Sequence, residues 1–521
     1  MTGRLSARWR RDPAAWVLLL ALLAQISMLF AVEYPPLQDY PNHLLRVHAI
    51  ERLEEVPIYA EHLVIDPRYR PNLTMDLGLI ALDQALPLPL AGKILVVLGL
   101  LLGYSGVWLY LNRFGRGEPS SNAYRVLAAL IGAHLLGSWF YLKGFWNFTT
   151  ACGLGLLYLV LVYPRDETFG WKRWLAASLA AFAVVTTHGF VFLAFSAIAG
   201  FSWLLRERGP SWRMIRHMST VLPALTGFVL FITGNLSNST LGSNTLLYKS
   251  GLESLLVWIP LQVWQRFDFR LDSLLGAAAW LMIAAGVVVL SKRAFQRQDP
   301  TDRTLVWMIL VTVVLILTLP DALSEGWGHM KFRMAHIAVL VALPAVLALP
   351  HHRIRWGLAA AAALIWLVGT ALSVQGFRTF DRQAREFMTM AENVPRGALL
   401  LTADVSEAQA LRPFLHLWSH LCQLRDCLSP HIFATQYIQT LYLQNGPEVP
   451  PEGELMPDDW QAFAELASRQ PYDGVLLSGR SAPGEAILDT VFERADENGS
   501  GILYLRPKAS GEMTAIPSPA M

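Results

Sequence analysis

The chain has 521 residues, of which 54% are hydrophobic and only 16% charged, with a mean hydropathy of +0.37. That is too apolar for a soluble protein and too long for one domain, so the composition points to a polytopic α-helical membrane protein. The net charge of +2 is spread over short basic clusters between apolar runs, which excludes a nucleic-acid surface.

Met1 to Val32 has a basic start and a long apolar run without a small-residue cleavage pattern, and reads as a retained signal anchor. A helix needs about 20 apolar residues to cross the hydrocarbon core. Runs of that kind predict eleven spans, at 14–33, 89–111, 124–142, 146–163, 173–187, 189–205, 219–235, 273–291, 304–320, 333–350 and 357–377. The fifth and sixth are parted only by the stretch Thr186 to Gly189. Arg4, Arg8, Arg10 and Arg11, then Arg113 and Arg116, Arg165, Lys172 and Arg173 fall in alternate loops. Arg206, Arg208, Arg213 and Arg216, then Lys292, Arg293, Arg297 and Arg303, then Arg353 and Arg355 continue the pattern. Basic loops stay inside, so the amino terminus is expected inside and the carboxy terminus outside.

The first outer loop, 34–88, opens with EYPPLQDYPNHLLRVH from Glu33 to His48, placing Asp39 beside Asn42, His43 and Arg46 at the membrane boundary. Charge there is costly to desolvate and marks a site by default. Capping of a helix that begins near Pro41 is the competing role for Asp39. LLRVHAIERLEEV and Leu73 to Leu86 read as amphipathic helices that roof a cavity. In the loop 236–272, Trp258, Trp264, Phe267 and Phe269 suit the headgroup layer, as an anchor or as a surface for a lipid-linked substrate. The segment from Asp321 to His336 puts Lys331 and Arg333 on the outer side, where an anion such as a phosphate would compensate them. Asp321 and Glu325, or lipid headgroups, are the alternative partners. His134 is expected to bond a neighbouring helix and His188 to be a satisfied turn residue. Sequons at Asn72, Asn147, Asn235 and Asn238 match the glycosylation pattern by tripeptide alone.

From 378 the composition becomes that of a soluble domain of about 140 residues. FDRQAREFMTMAENV reads as a helix, and ALLLTAD, YDGVLLSG and GILYLRP as strands, so the expected plan is a transmembrane domain, 1–377, and an extracytoplasmic α/β domain, 378–521. Cys422 and Cys427 are expected to form a disulfide outside the cytoplasm; zinc ligation with His416, His420 or His431 ranks below it, and a catalytic thiol last.

A first span, a long outer loop beginning with an acid, many further spans and a carboxy-terminal domain together resemble the GT-C superfamily of membrane glycosyltransferases, which includes the protein mannosyltransferases and the aminoarabinose transferases. DYPNHL and PNLTMDL also resemble stretches of uncharacterised bacterial membrane proteins. The resemblance implies sugar transfer from a polyprenyl phosphate donor to a hydroxyl or amine at the outer face of a bacterial inner membrane. It implies Asp39 as catalytic base, Arg333 first and then Lys331 or Arg46 at the leaving phosphate, His43 as an orienting group and Asn42 on a sugar hydroxyl. Many members pair two acids in the first loop, whereas Asp39 stands alone in QDYPNH, so no metal cofactor is expected. The lipid bilayer, the lipid-linked sugar and an unidentified acceptor are the expected partners. The competing class is a transporter or assembly subunit for surface polysaccharide.

Overall fold

The computed structural model describes residues 12–66, 69–115, 122–164, 169–236, 246–247, 251, 253–267, 269–323, 329–350, 355–406, 411–432, 441–444, 447–450, 457–479 and 484–507. The basic residues Arg4, Arg8, Arg10, Arg11, Arg116, Arg165 and Arg353, the sequon at Asn238 and the acid Glu325 lie outside them.

Helix α1 (Pro13–Phe30) starts on Asp12, whose side chain accepts from the Ala14 amide at 3.1 Å. The same carboxylate accepts from Trp108 and Arg125, which ties α1 to its neighbours at one end. After α1 come α2 (Tyr40–Glu51) and α3 (Leu73–Asp83) of the first loop, then α4 (Leu88–Phe114), α5 (Asn122–Leu136), α6 (Trp146–Val162), α7 (Trp171–Thr187) and α8 (Gly189–Glu207). The second half holds α9 (Leu222–Leu236), α10 (Phe269–Gln296), α11 (Pro300–Thr318), α12 (Met330–Ala342) and α13 (Arg355–Met388). All eleven predicted spans fall in helices. Among the described residues nine helical segments are long and apolar enough to cross a membrane, while α6 and α7 have 17 residues each. This is the build of a multi-pass membrane protein. His188 ends α7 and starts α8 with an extended backbone, so those two runs are separate helices.

Glycine lets α4 and α6 cross closely: a Cβ on Gly106 would stand 2.5 Å from the Gly153 carbonyl oxygen. Small residues at such crossings replace the hydrophobic drive that lipid does not supply. Trp264 is buried in this helical core rather than set in a headgroup belt, because its ring packs on Gly276 and its carbonyl accepts from His134 at 3.0 Å. Trp258 is exposed, and Phe267 packs against Phe377. Asn147 is buried with its amide on the Asn72 carbonyl, a poor position for a glycan.

The tail begins without a break. Helix α13 carries the last span straight into the stretch FDRQAREFM, since nothing between Phe377 and Met388 interrupts it. Beyond it, β1 (Leu400–Asp404), β2 (Gly474–Ser478), β3 (Glu493–Asn498) and β4 (Gly501–Leu505) form a sheet in the order β1-β2-β4-β3, with β1 and β2 parallel and the other pairs antiparallel. The three predicted strands are β1, β2 and β4. Strand β3 escaped the sequence reading because ERADEN has no apolar alternation, and it lies exposed at the sheet edge. Leu45, Ala49, Val56, Tyr59 and Leu63 of the first loop share one core with Leu400, Leu401, Trp418 and Phe463 of the tail. Leu63–Ile65 also pairs with Leu441–Leu443. The first loop and the tail thus lie over the helices as one packed layer.

Candidate active site

Asp39 sits at the N-cap position of α2, with φ −87° and ψ −10°, yet its side chain makes no capping bond. Its backbone is fixed instead by the turn after the short helix Trp139–Leu142: the Asp39 amide donates to the Lys143 carbonyl at 3.1 Å and the Gln38 amide to Leu142 at 2.9 Å. Gly144 makes that turn with φ +73°, and a Cβ there would stand 2.7 Å from the Asp39 nitrogen. Only glycine combines this backbone with this approach.

The carboxylate is 8% exposed. Its Oδ1 has the Gln38 amide nitrogen and the His416 Nε2 each at 3.5 Å. Among the described residues Oδ2 has no hydrogen-bond partner, and it is not sealed from solvent. One oxygen is held and the other is offered.

Three groups stand in the field of this carboxylate: Lys143, His329 and Arg333. Lys143 donates to Gln38 Oε1 at 2.8 Å and lies over the Trp139 ring at 5.4 Å. Burial pulls its ammonium below the ordinary value, and the Asp39 charge opposes that pull. Arg333, in the first turn of α12, lies over the rings of Phe145 at 5.3 Å and Phe148 at 6.0 Å. Its Nε is buried without a partner. Among the described residues neither Lys143 nor Arg333 has a carboxylate within 4.0 Å. His329, wedged against Trp139 at 5.4 Å, is pushed down to about 4 by burial and then by Arg333 and Lys143. Burial is thus the chief reason this histidine stays neutral, and the two cations add to it while Asp39 opposes it. A small cavity, with room for about one water, lies near Asp39 and is lined by Leu37, Tyr40, Met75, Tyr141, Gly144 and Trp146.

Of the residues predicted from sequence, Arg333 alone joins Asp39 as a cation of this pocket. Arg46 is fully buried and forms an ion pair with Asp76, its Nε 3.1 Å from Oδ2, while Nη2 donates to His43 Nδ1 at 2.9 Å. Asn42 is fully buried with its amide on the His431 carbonyl, which takes it from any sugar. Lys331, buried, lies 3.5 Å from Asp321, the alternative partner foreseen for it. Lys143, His329 and His416 were missed. Lys143 had a signal, a lysine in an expected outer turn; His416 had none, because its place depends on how the tail folds back.

Cys422 and Cys427 are joined in a disulfide, so neither sulfur is a metal ligand. Among the described residues no group of three or more His, Cys, Asp and Glu gathers as a metal site.

No family model matches the chain, and no characterised relative matches it by sequence. Solved structures do. ArnT from Cupriavidus metallidurans in the apo state superposes with a TM-score of 0.54 at 13% identity, over 94% of this chain and 97% of that one. The same protein bound to undecaprenyl phosphate gives a TM-score of 0.54 at 11% identity over the same shares. The chain has the fold of ArnT. The apo oligosaccharyltransferase of Archaeoglobus fulgidus also aligns, with a TM-score of 0.48 at 12% identity over 89% of this chain and 69% of that one.

Proposed function

We propose that this chain is a glycosyltransferase that moves a sugar from a polyprenyl phosphate to an acceptor hydroxyl or amine. The observation that carries the reading is the pairing of Asp39, with one accessible unbonded oxygen, and two cations, Arg333 and Lys143, that lack carboxylate partners among the described residues. As the acceptor attacks the anomeric carbon, its proton passes to Asp39 Oδ2 and the bond from that carbon to the phosphate oxygen breaks. The departing phosphate gains charge, and cations already fixed in place stabilise it without reorganisation. The bound undecaprenyl phosphate of ArnT supports a lipid of that class. The basic loops and the tail disulfide support a tail outside the cytoplasm, in a bacterial inner membrane.

The test is transfer by the purified protein in proteoliposomes, with radiolabelled sugars on undecaprenyl phosphate and a membrane extract as acceptor source. Appearance of labelled product is expected. Movement of intact donor across the bilayer with no chemical change would show a transporter instead.

A further inference from the structure

The tail reaches the candidate base through one residue. His416, 5% exposed, precedes helix α14 (Trp418–Arg425), and its Nε2 is 3.5 Å from Asp39 Oδ1. The protonation of that ring follows from its neighbours. The Asn42 side-chain nitrogen lies 3.1 Å from the His431 carbonyl oxygen, which can only accept, so the amide is oriented with its NH2 on that side. The same NH2 lies 3.4 Å from His416 Nδ1. A nitrogen facing an NH2 donor must accept, which leaves the ring proton of the neutral form on Nε2, facing Asp39.

We propose that His416 is a positioning residue for Asp39, supplied by the tail: His431 orients Asn42, Asn42 selects the Nε2–H tautomer of His416, and His416 holds Oδ1 so that Oδ2 faces the acceptor. At 3.5 Å the two groups are in ion-pair range without a formed hydrogen bond, and contacts of this kind tighten when substrate fills a site. Asn42 and Asp39 lie on the first loop, His416 and His431 on the tail, so docking of the two completes the site. A carboxylate free to rotate would present its oxygens to the acceptor only part of the time. This inference rests on the sugar-transfer reading for its consequence in turnover, but not for its geometry.

Two measurements keep the two apart. The first is the nitrogen NMR spectrum of the full-length protein labelled at histidine nitrogens, with the His416 signals assigned by their loss in His416→Gln. The Nε2–H tautomer is expected in the unaltered protein, with loss of that preference in Asn42→Leu. A dominant Nδ1–H tautomer, or no response to Asn42→Leu, overturns the inference whatever the protein catalyses. The second is steady-state transfer. Glutamine places an amide donor where Nε2 was and asparagine does not, so His416→Gln is expected to keep kcat within a few fold, while His416→Asn and His416→Leu lose about tenfold to a hundredfold with donor KM little changed. Equal kcat in the three variants overturns it as well. If instead the unaltered protein transfers no sugar, the sugar-transfer reading fails, and the tautomer measurement still decides the geometry.

Discussion

Arg333 and Asp39 come from the two halves of the chain, yet among the described residues the Asp39 carboxylate is the acid whose charge the Arg333 guanidinium feels. The guanidinium lies over two phenylalanine rings with its Nε buried and unpartnered, which on the proposed function is the place for the lipid phosphate.

Arg333→Leu is therefore expected to weaken binding of undecaprenyl phosphate. A hydrogen bond to a charged group is worth about 1.5–3 kcal/mol, so the loss should be about tenfold to a hundredfold in Kd. Native mass spectrometry of detergent-purified protein titrated with the lipid reads it. Unchanged affinity would place the phosphate elsewhere.

Arg46 and Asp76 form a buried ion pair linking α2 to α3. Removing one partner leaves a buried charge alone, at a cost of about 3–5 kcal/mol. Asp76→Leu should lower the thermal midpoint sharply, and Arg46→Met with Asp76→Leu should restore much of it. Equal loss in single and double variants would contradict this. The sequence offered Arg46 as a phosphate ligand because its acid lies on a different helix, out of view of any local pattern.

Acidification should loosen the roof of the site. His43 and His48 are held below the ordinary histidine value, chiefly by burial, and His420 and His329 are pushed down to about 3 and about 4. The unfolded chain takes up these protons near pH ~6.5 and the native protein only well below that, so stability is full above that pH and is lost as pH falls through the window. Glu51, pushed up to about 7 by burial and Asp83, has the opposite sign, but it is one group against four. The thermal midpoint is expected to fall between pH ~7.5 and pH ~5, about one unit above and well below the ordinary histidine pKa. A flat or rising midpoint would contradict it.

The Cys422–Cys427 disulfide closes a short loop at the end of α14, where the Cys427 carbonyl accepts from the Tyr59 hydroxyl at 3.2 Å. Loop-closure entropy for so short a loop gives about 2 kcal/mol. Replacing both cysteines with serine should lower the midpoint accordingly and reduce transfer by loosening His416, with lipid binding retained. No change in stability would remove the disulfide from the account.

Much of this was legible in the sequence. Apolar runs located the helices that are long and apolar enough to cross a bilayer among the described residues, and a lone acid beside the first of them made Asp39 the candidate, because charge at a membrane boundary needs a reason. Lys143 and His416 were not legible as partners, since their nearness to Asp39 arises from the turn at Gly144 and from the tail folding onto α2. Trp264 was misread for a related reason: a tryptophan in a polar-flanked loop looks interfacial until a glycine on a neighbouring helix makes room for it.

The central claim is that Asp39 takes the acceptor's proton. Its most direct test is single-turnover sugar transfer by Asp39→Asn in protein shown to keep its thermal midpoint and its undecaprenyl phosphate affinity. The account expects the rate to fall by about a hundredfold or more, the share a positioned base supplies. A rate equal to that of the unaltered protein would contradict it.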